Sequence, residues 1–188
     1  MRRLALFLLA LTLAAPASAA TMTWRISGHG AGTLDGDAFD APFALVLRGD
    51  TGAYSNGRLK VVSPLDRAEL RIDGIGAAEI AVPTRLGFNP GNRVVFFAHE
   101  RGQDLFDFFV DQSLRLNTKL GPIAGFGVFA LDQFDVPTSL GRATFESATN
   151  VQFSAVPLPA AAPLLLGGVA GLGFLARRRR APGVAAAG

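Results

Sequence analysis

Between residues 21 and 154, apolar and polar positions alternate in short stretches separated by turn residues. In Arg67-Ala68-Glu69-Leu70-Arg71-Ile72-Asp73 every second side chain is charged, so one face of an extended strand is wet and the other buried. Leu59-Lys60-Val61 and Thr144-Phe145-Glu146 repeat this habit, whereas Val94-Val95-Phe96-Phe97 is apolar on both faces and suits a central strand. The pattern predicts strands over 22–28, 43–48, 58–62, 68–72, 77–82, 93–99, 106–111, 114–117, 126–131 and 141–153. Asp50-Thr51-Gly52, Ser55-Asn56-Gly57, Asp73-Gly74 and Asn89-Pro90-Gly91 supply the turns. Turn signals recurring about every 8–12 residues point to an all-β domain, a single antiparallel sandwich of jelly-roll-like kind. No capped run of 3.6 periodicity and no repeat of propeller or solenoid spacing interrupts the reading.

The two ends carry a different pattern. Arg2 and Arg3 precede an apolar run over residues 4–13, and Pro16 then leads into Ala17, Ala19 and Ala20. This is the charge, apolar and small-residue order of a secretory signal peptide over residues 1–20, with cleavage after Ala19 or Ala20. The apolar run is too short to span the roughly 30 Å hydrocarbon core of a bilayer. At the other end, residues 156–176 carry no charge and are followed by Arg177, Arg178, Arg179 and Arg180. A transmembrane helix over 160–176 would extend about 25 Å, and snorkelling arginines complete the crossing. Those arginines keep their end cytoplasmic and place the β domain outside. The small and polar stretch 147–159 reads as a short tether to the membrane, and 181–188 as a disordered tail.

Composition sharpens the picture by exclusion. The chain of 188 residues has room for one domain of ordinary size. It has no cysteine, which removes disulfides, thiol nucleophiles and Cys-ligated metal centres. His29 and His99 are the only histidines, too few for a three-histidine metal site. Without the six terminal arginines the remaining chain is net acidic, so the overall positive charge does not point to nucleic acid.

Val156-Pro157-Leu158-Pro159-Ala160, an apolar helix and a basic cluster, in that order, resemble a PEP-CTERM-type sorting signal, more narrowly its VPLPA-CTERM variant. The resemblance covers about an eighth of the chain. It implies an exosortase-like partner that recognises this segment, removes the helix and delivers the protein to the cell surface or extracellular matrix of a Gram-negative bacterium making exopolysaccharide. Leu158 stands where the commoner form has a central acidic residue, and the tail beyond Arg180 is longer than the usual few residues. Pro157 and Pro159 suit a processing site, because they hold the backbone extended and open to a protease.

Candidate chemistry in the β domain is sparse, and no cofactor is expected. Asp35, Asp37 and Asp40 are a weak Ca²⁺ candidate, since hard cations seek oxygen ligands, but no EF-hand pattern accompanies them and a solvated turn is the simpler reading. Gly28-His29-Gly30-Ala31-Gly32 lacks the lysine and hydroxyl residue of a phosphate loop and reads as a flexible connection between strands. His99 with Glu100, Asp104 and Asp107 could orient a general base, yet no nucleophile motif accompanies them. Phe106, Phe108, Phe109, Phe126, Phe129 and Phe134 read as sandwich core rather than a sugar-stacking platform. The expectation is a non-enzymatic exported protein with a structural or adhesive role linked to exopolysaccharide. A surface-displayed carbohydrate-active hydrolase and a small-ligand-binding β module are the alternatives.

Overall fold

The computed structural model describes residues 21–158. The signal-peptide region with Ala17, Ala19 and Ala20, the expected helix over 160–176, Pro159, Ala160, the Arg177 to Arg180 cluster and the tail lie outside the described residues. Among the described residues no helix is long and apolar enough to cross a membrane.

The first half of the domain forms β1 (Thr21–Leu34), β2 (Asp37–Asp50), β3 (Tyr54–Asn56), β4 (Lys60–Val62), β5 (Arg67–Ile72) and β6 (Gly76–Glu79). The second half adds β7 (Thr84–Asn89), β8 (Val94–His99), β9 (Asp104–Val110), β10 (Leu120–Phe129), β11 (Asp135–Thr138) and β12 (Gly141–Pro157). All pair antiparallel in one 12-stranded sheet of order β3-β4-β7-β8-β9-β10-β12-β1-β2-β5-β6, with β11 beside β12. The all-β expectation holds.

The sheet curls so that its halves face each other, and β10 turns the corner. Leu120, Ile123 and Ala124 of β10 pair with β12, whereas Gly125, Phe126 and Phe129 pair with β9. Gly125 is required at the corner, because a side chain there would run into the Phe108 ring at 2.5 Å. Rings from the two halves then meet inside. Phe43 of β2 lies 5.6 Å from Phe106 of β9, and Phe145 of β12 lies 5.8 Å from the same ring. Phe145 also contacts Phe39 and Phe134 edge-on, an arrangement favoured by the ring quadrupoles.

Three expectations need correction. The glycine run 28–32 is not a connection but the middle of β1, which sits between β2 and β12. Its glycines make close packing possible: a Cβ on Gly28 would stand 2.6 Å from the Thr149 carbonyl oxygen, and one on Gly30 would stand 2.7 Å from the Phe145 ring. The β1–β12 ladder is irregular between Ser27 and His29 and again between Ala31 and Gly32, where small residues tolerate the bulges. The strand expected over 141–153 runs on to Pro157 and pairs with β1 to its end, so 147–157, also read as tether, belongs to the ladder.

The third correction concerns 114–117, which forms no strand. It lies in the connection from β9 to β10 and is held by its side chains, with Leu114 and Leu116 fully buried in the core. Trp24 of β1 donates its indole N–H to the Leu116 carbonyl at 2.8 Å, and Lys60 of β4 donates to the Leu114 carbonyl at 3.0 Å. The loop is thereby pinned to both halves of the sheet. Replacing Leu116 with Ala should leave a cavity and cost about 2–5 kcal/mol. The exposed Leu59→Ala should cost no more than about 0.5 kcal/mol. Urea titrations followed by the fluorescence of buried Trp24 will separate the two, and equal midpoints would show that the loop is no part of the core.

Candidate functional site

The outer face of the β4-β7-β8-β9 half is unusual for a surface. Strand alternation turns Val95 and Phe97 inward and Val94, Phe96 and Ala98 outward, yet all five are buried. The outward three form a small second core with Val61 and Phe109. The Phe96 ring lies over Gly87 of β7, where any side chain would collide with it. The guanidinium of Arg85 stands 5.7 Å from the centre of that ring, within cation–π range. Phe109 stacks on Phe126 at 5.9 Å and touches Phe129 at 5.4 Å.

Into this apolar surface the fold inserts two carboxyls. Residues three apart on a regular strand face opposite ways, but β9 bulges at Leu105: Phe106 pairs with Phe97, and Asp104, not Leu105, pairs with Ala98. The bulge resets the alternation, and Asp104 and Asp107 come to line one cleft. Asp107, opposite Phe96, is only 3% exposed, and its Oδ1 has no hydrogen-bond partner among the described residues. Burial, then the charge of Asp104 and a hydrogen bond shared with it, push the Asp107 carboxyl up to about 8, so at neutral pH it holds its proton. Arg85 donates through Nη2 to the Gly102 carbonyl at 3.2 Å, while its buried Nε–H is unpartnered. The cleft encloses about 260 Å³, with Leu59, Phe96 and Phe129 as apolar walls and Asn89 and Asn92 at its polar side.

The residues singled out from the sequence fall in several places. Phe106, Phe108 and Phe134 are buried core, as expected. Phe109 is half-buried on the outer face instead, and Phe126 and Phe129 are 56% and 39% exposed, because the end of β10 lies past the corner with no described residue over its outer face. His99 shares the inward parity of Val95 and Phe97, whereas Asp107 points outward, so the strand separates this histidine from that acid. Asp35 and Gly36 form a two-residue hairpin turn with φ of 54° and 88°, the Asp-Gly turn that joins twisted strands best. Asp37 opens β2, and Asp40 meets His29 at 2.7 Å in an exposed pair of little energetic weight. Among the described residues no group of three or more His, Asp or Glu side chains is placed to hold a metal ion.

Of the residues expected to form the sorting motif, Val156 pairs with Thr23 and Pro157 with Met22, while Leu158 follows the strand; Val156 is 50% and Leu158 39% exposed. Sequence reasoning passed over Arg85, Asn89, Asn92 and Phe96 as site residues. One signal was there: Leu105-Phe106-Asp107-Phe108-Phe109 sets a single acid inside an apolar strand. No protein-family model matches the chain, and neither a curated protein nor a solved structure matches it.

Asp107 gives stability a definite pH dependence. The folded chain keeps this proton until about pH 8, whereas the unfolded chain releases it near 4. Its contribution is therefore complete below pH ~4 and lost as pH rises toward ~8. Asp107→Asn, which cannot ionise, should gain on the wild type between pH 5 and 9 in urea midpoints. A wild type that gains on the variant over that range would contradict the assignment.

Proposed function

We propose that this chain is an exported cell-surface or extracellular-matrix protein, sorted and C-terminally processed by an exosortase-like enzyme, with a structural or adhesive role linked to exopolysaccharide. The observation that carries the reading is the order of three features at the C-terminal end: the Val156 to Ala160 motif, the apolar stretch and the four arginines. The Arg2–Arg3 start and the small residues near Ala19 supply the export signal the reading requires. In this account the chain crosses an inner membrane, pauses there with its arginines in the cytoplasm, and is released or attached outside.

The folded domain adds two supporting facts. β12 ends within the motif, so a cut on the far side of Pro157 frees the whole domain without removing a residue of its ladder. The chain crosses between the halves of the sheet on leaving β2, β4 and β6, which is the sense in which we keep the jelly-roll-like comparison.

Phe43, Phe106, Phe134 and Phe145 fill the interior where a small-ligand cavity was the alternative. The sorting reading is tested by replacing Arg177, Arg178, Arg179 and Arg180 with Ser and following the protein by surface labelling of intact cells. Surface delivery should fall sharply and the protein should accumulate unprocessed. Undiminished delivery would overturn the assignment.

A further inference from the structure

We propose that the outer-face cleft between β7, β8 and β9 is a subsite for one ring of a neutral polysaccharide, with Phe129 as its stacking face. The proposal rests on the matrix reading above and names the chemistry of its partner. Three observations lead to it. First, the cleft holds polar groups that the protein itself leaves unused: the Oδ1 of Asp107, a side chain 3% exposed, and the buried Nε–H of Arg85. Buried polar atoms without partners are costly, and both side chains line the cleft, where a ligand offering both a donor and an acceptor can hydrogen-bond to the carboxyl and the guanidinium. A sugar hydroxyl does both. Second, the apolar side of the cleft is aromatic and open, with Phe129 at its wall and Phe126 beside it across the Phe109 ring. A pyranose presents just such a combination, hydroxyls at its edge and C–H groups on its face.

Third, charge and size limit the ligand. Asp107 is neutral at pH 7, and the remaining charges of the cleft, Asp104 and Arg85, oppose one another. A phosphate or uronate would meet the Asp104 carboxylate, and a free cation would meet the Arg85 guanidinium. A volume of about 260 Å³ lies at the small end for ligand sites, which suits a single ring of a chain that continues over the ledge toward Phe126. The Asn92 amide can donate and accept toward further hydroxyls, and Asn89, whose Oδ1 accepts from the Gly91 N–H at 3.0 Å, can donate to them.

The test is affinity electrophoresis of the mature protein purified from native cells, run in native gels containing hydroxyethylcellulose, glucomannan or dextran, with alginate as the anionic comparison. At least one neutral polymer should retard the protein, alginate should not, and Phe129→Ala and Phe126→Ala should weaken retardation by about tenfold and severalfold respectively. Both residues are exposed, so melting curves should show the variants folded. No retardation by any of the three neutral polymers, retardation by alginate alone, or retardation indifferent to Phe129→Ala would each overturn the proposal. So would sedimentation showing that Phe129→Ala turns a dimer into a monomer without affecting polymer binding, which would assign the ledge to a second copy of the chain. Processing of the C-terminal end, read separately by mass, stays intact if only the cleft assignment fails.

Discussion

The pairing of the first described strand with the last holds this domain together. β1 and β12 run side by side from Met22 opposite Pro157 to Leu34 opposite Ala143, and every other strand is added outward from this pair. β2 extends it on one side; β10 and β11 share the other edge of β12. The approach of the two backbones and the rings above them leaves no room for side chains at Gly28 and Gly30, so the glycines are a condition of the fold rather than a weakness in it. With no cysteine to close the chain, this ladder and the aromatic core between the halves carry the stability. Because its two strands lie at opposite ends of the domain sequence, the ladder closes a very long loop, and folding waits for the last strand to be available. The same pairing makes the chain enter at Thr21 and leave at Leu158 on one side of the domain, next to the proposed export signal and the proposed sorting motif in the sequence.

The other half of the sheet is built differently, and its chemistry follows from that. β8 is apolar on both faces, so the outer side of this half needs cover that no second layer among the described residues supplies. Arg85, Phe109 and Val61 provide part of it by lying across Phe96 and its neighbours, leaving Phe126, Phe129 and Leu59 open to solvent. The bulge at Leu105 then places two acids in this apolar setting, where burial and mutual repulsion keep one of them protonated.

Much of this was legible in the chain itself. Alternation in 67–73 and the double-sided run at Val94 to Phe97 located β5 and β8 because periodicity of two reports which face is buried. β7 escaped because Gly87 hides an alternation whose missing side chain is replaced by the Phe96 ring from the neighbouring strand. Leu114 and Leu116 imitate a strand because a buried loop also spaces its apolar anchors by two. The cleft was beyond sequence for a related reason. It depends on a bulge and on cross-strand neighbours such as Arg85 and Phe96, and neither register nor bulge is written in local composition. The proposed sorting signal is a linear pattern, and its apolar stretch and arginines lie outside the described residues.

The account joins an export signal, a closed β1–β12 ladder and a C-terminal processing site into one product, and the intact mass of the mature protein from native cells and medium tests that union most directly. It predicts a chain that starts at Ala20 or Thr21 and ends between Leu158 and about Ala160, with or without an attached group, since both ends of the ladder must survive maturation. A mass running to Gly188, with the protein confined to the inner membrane, would contradict it.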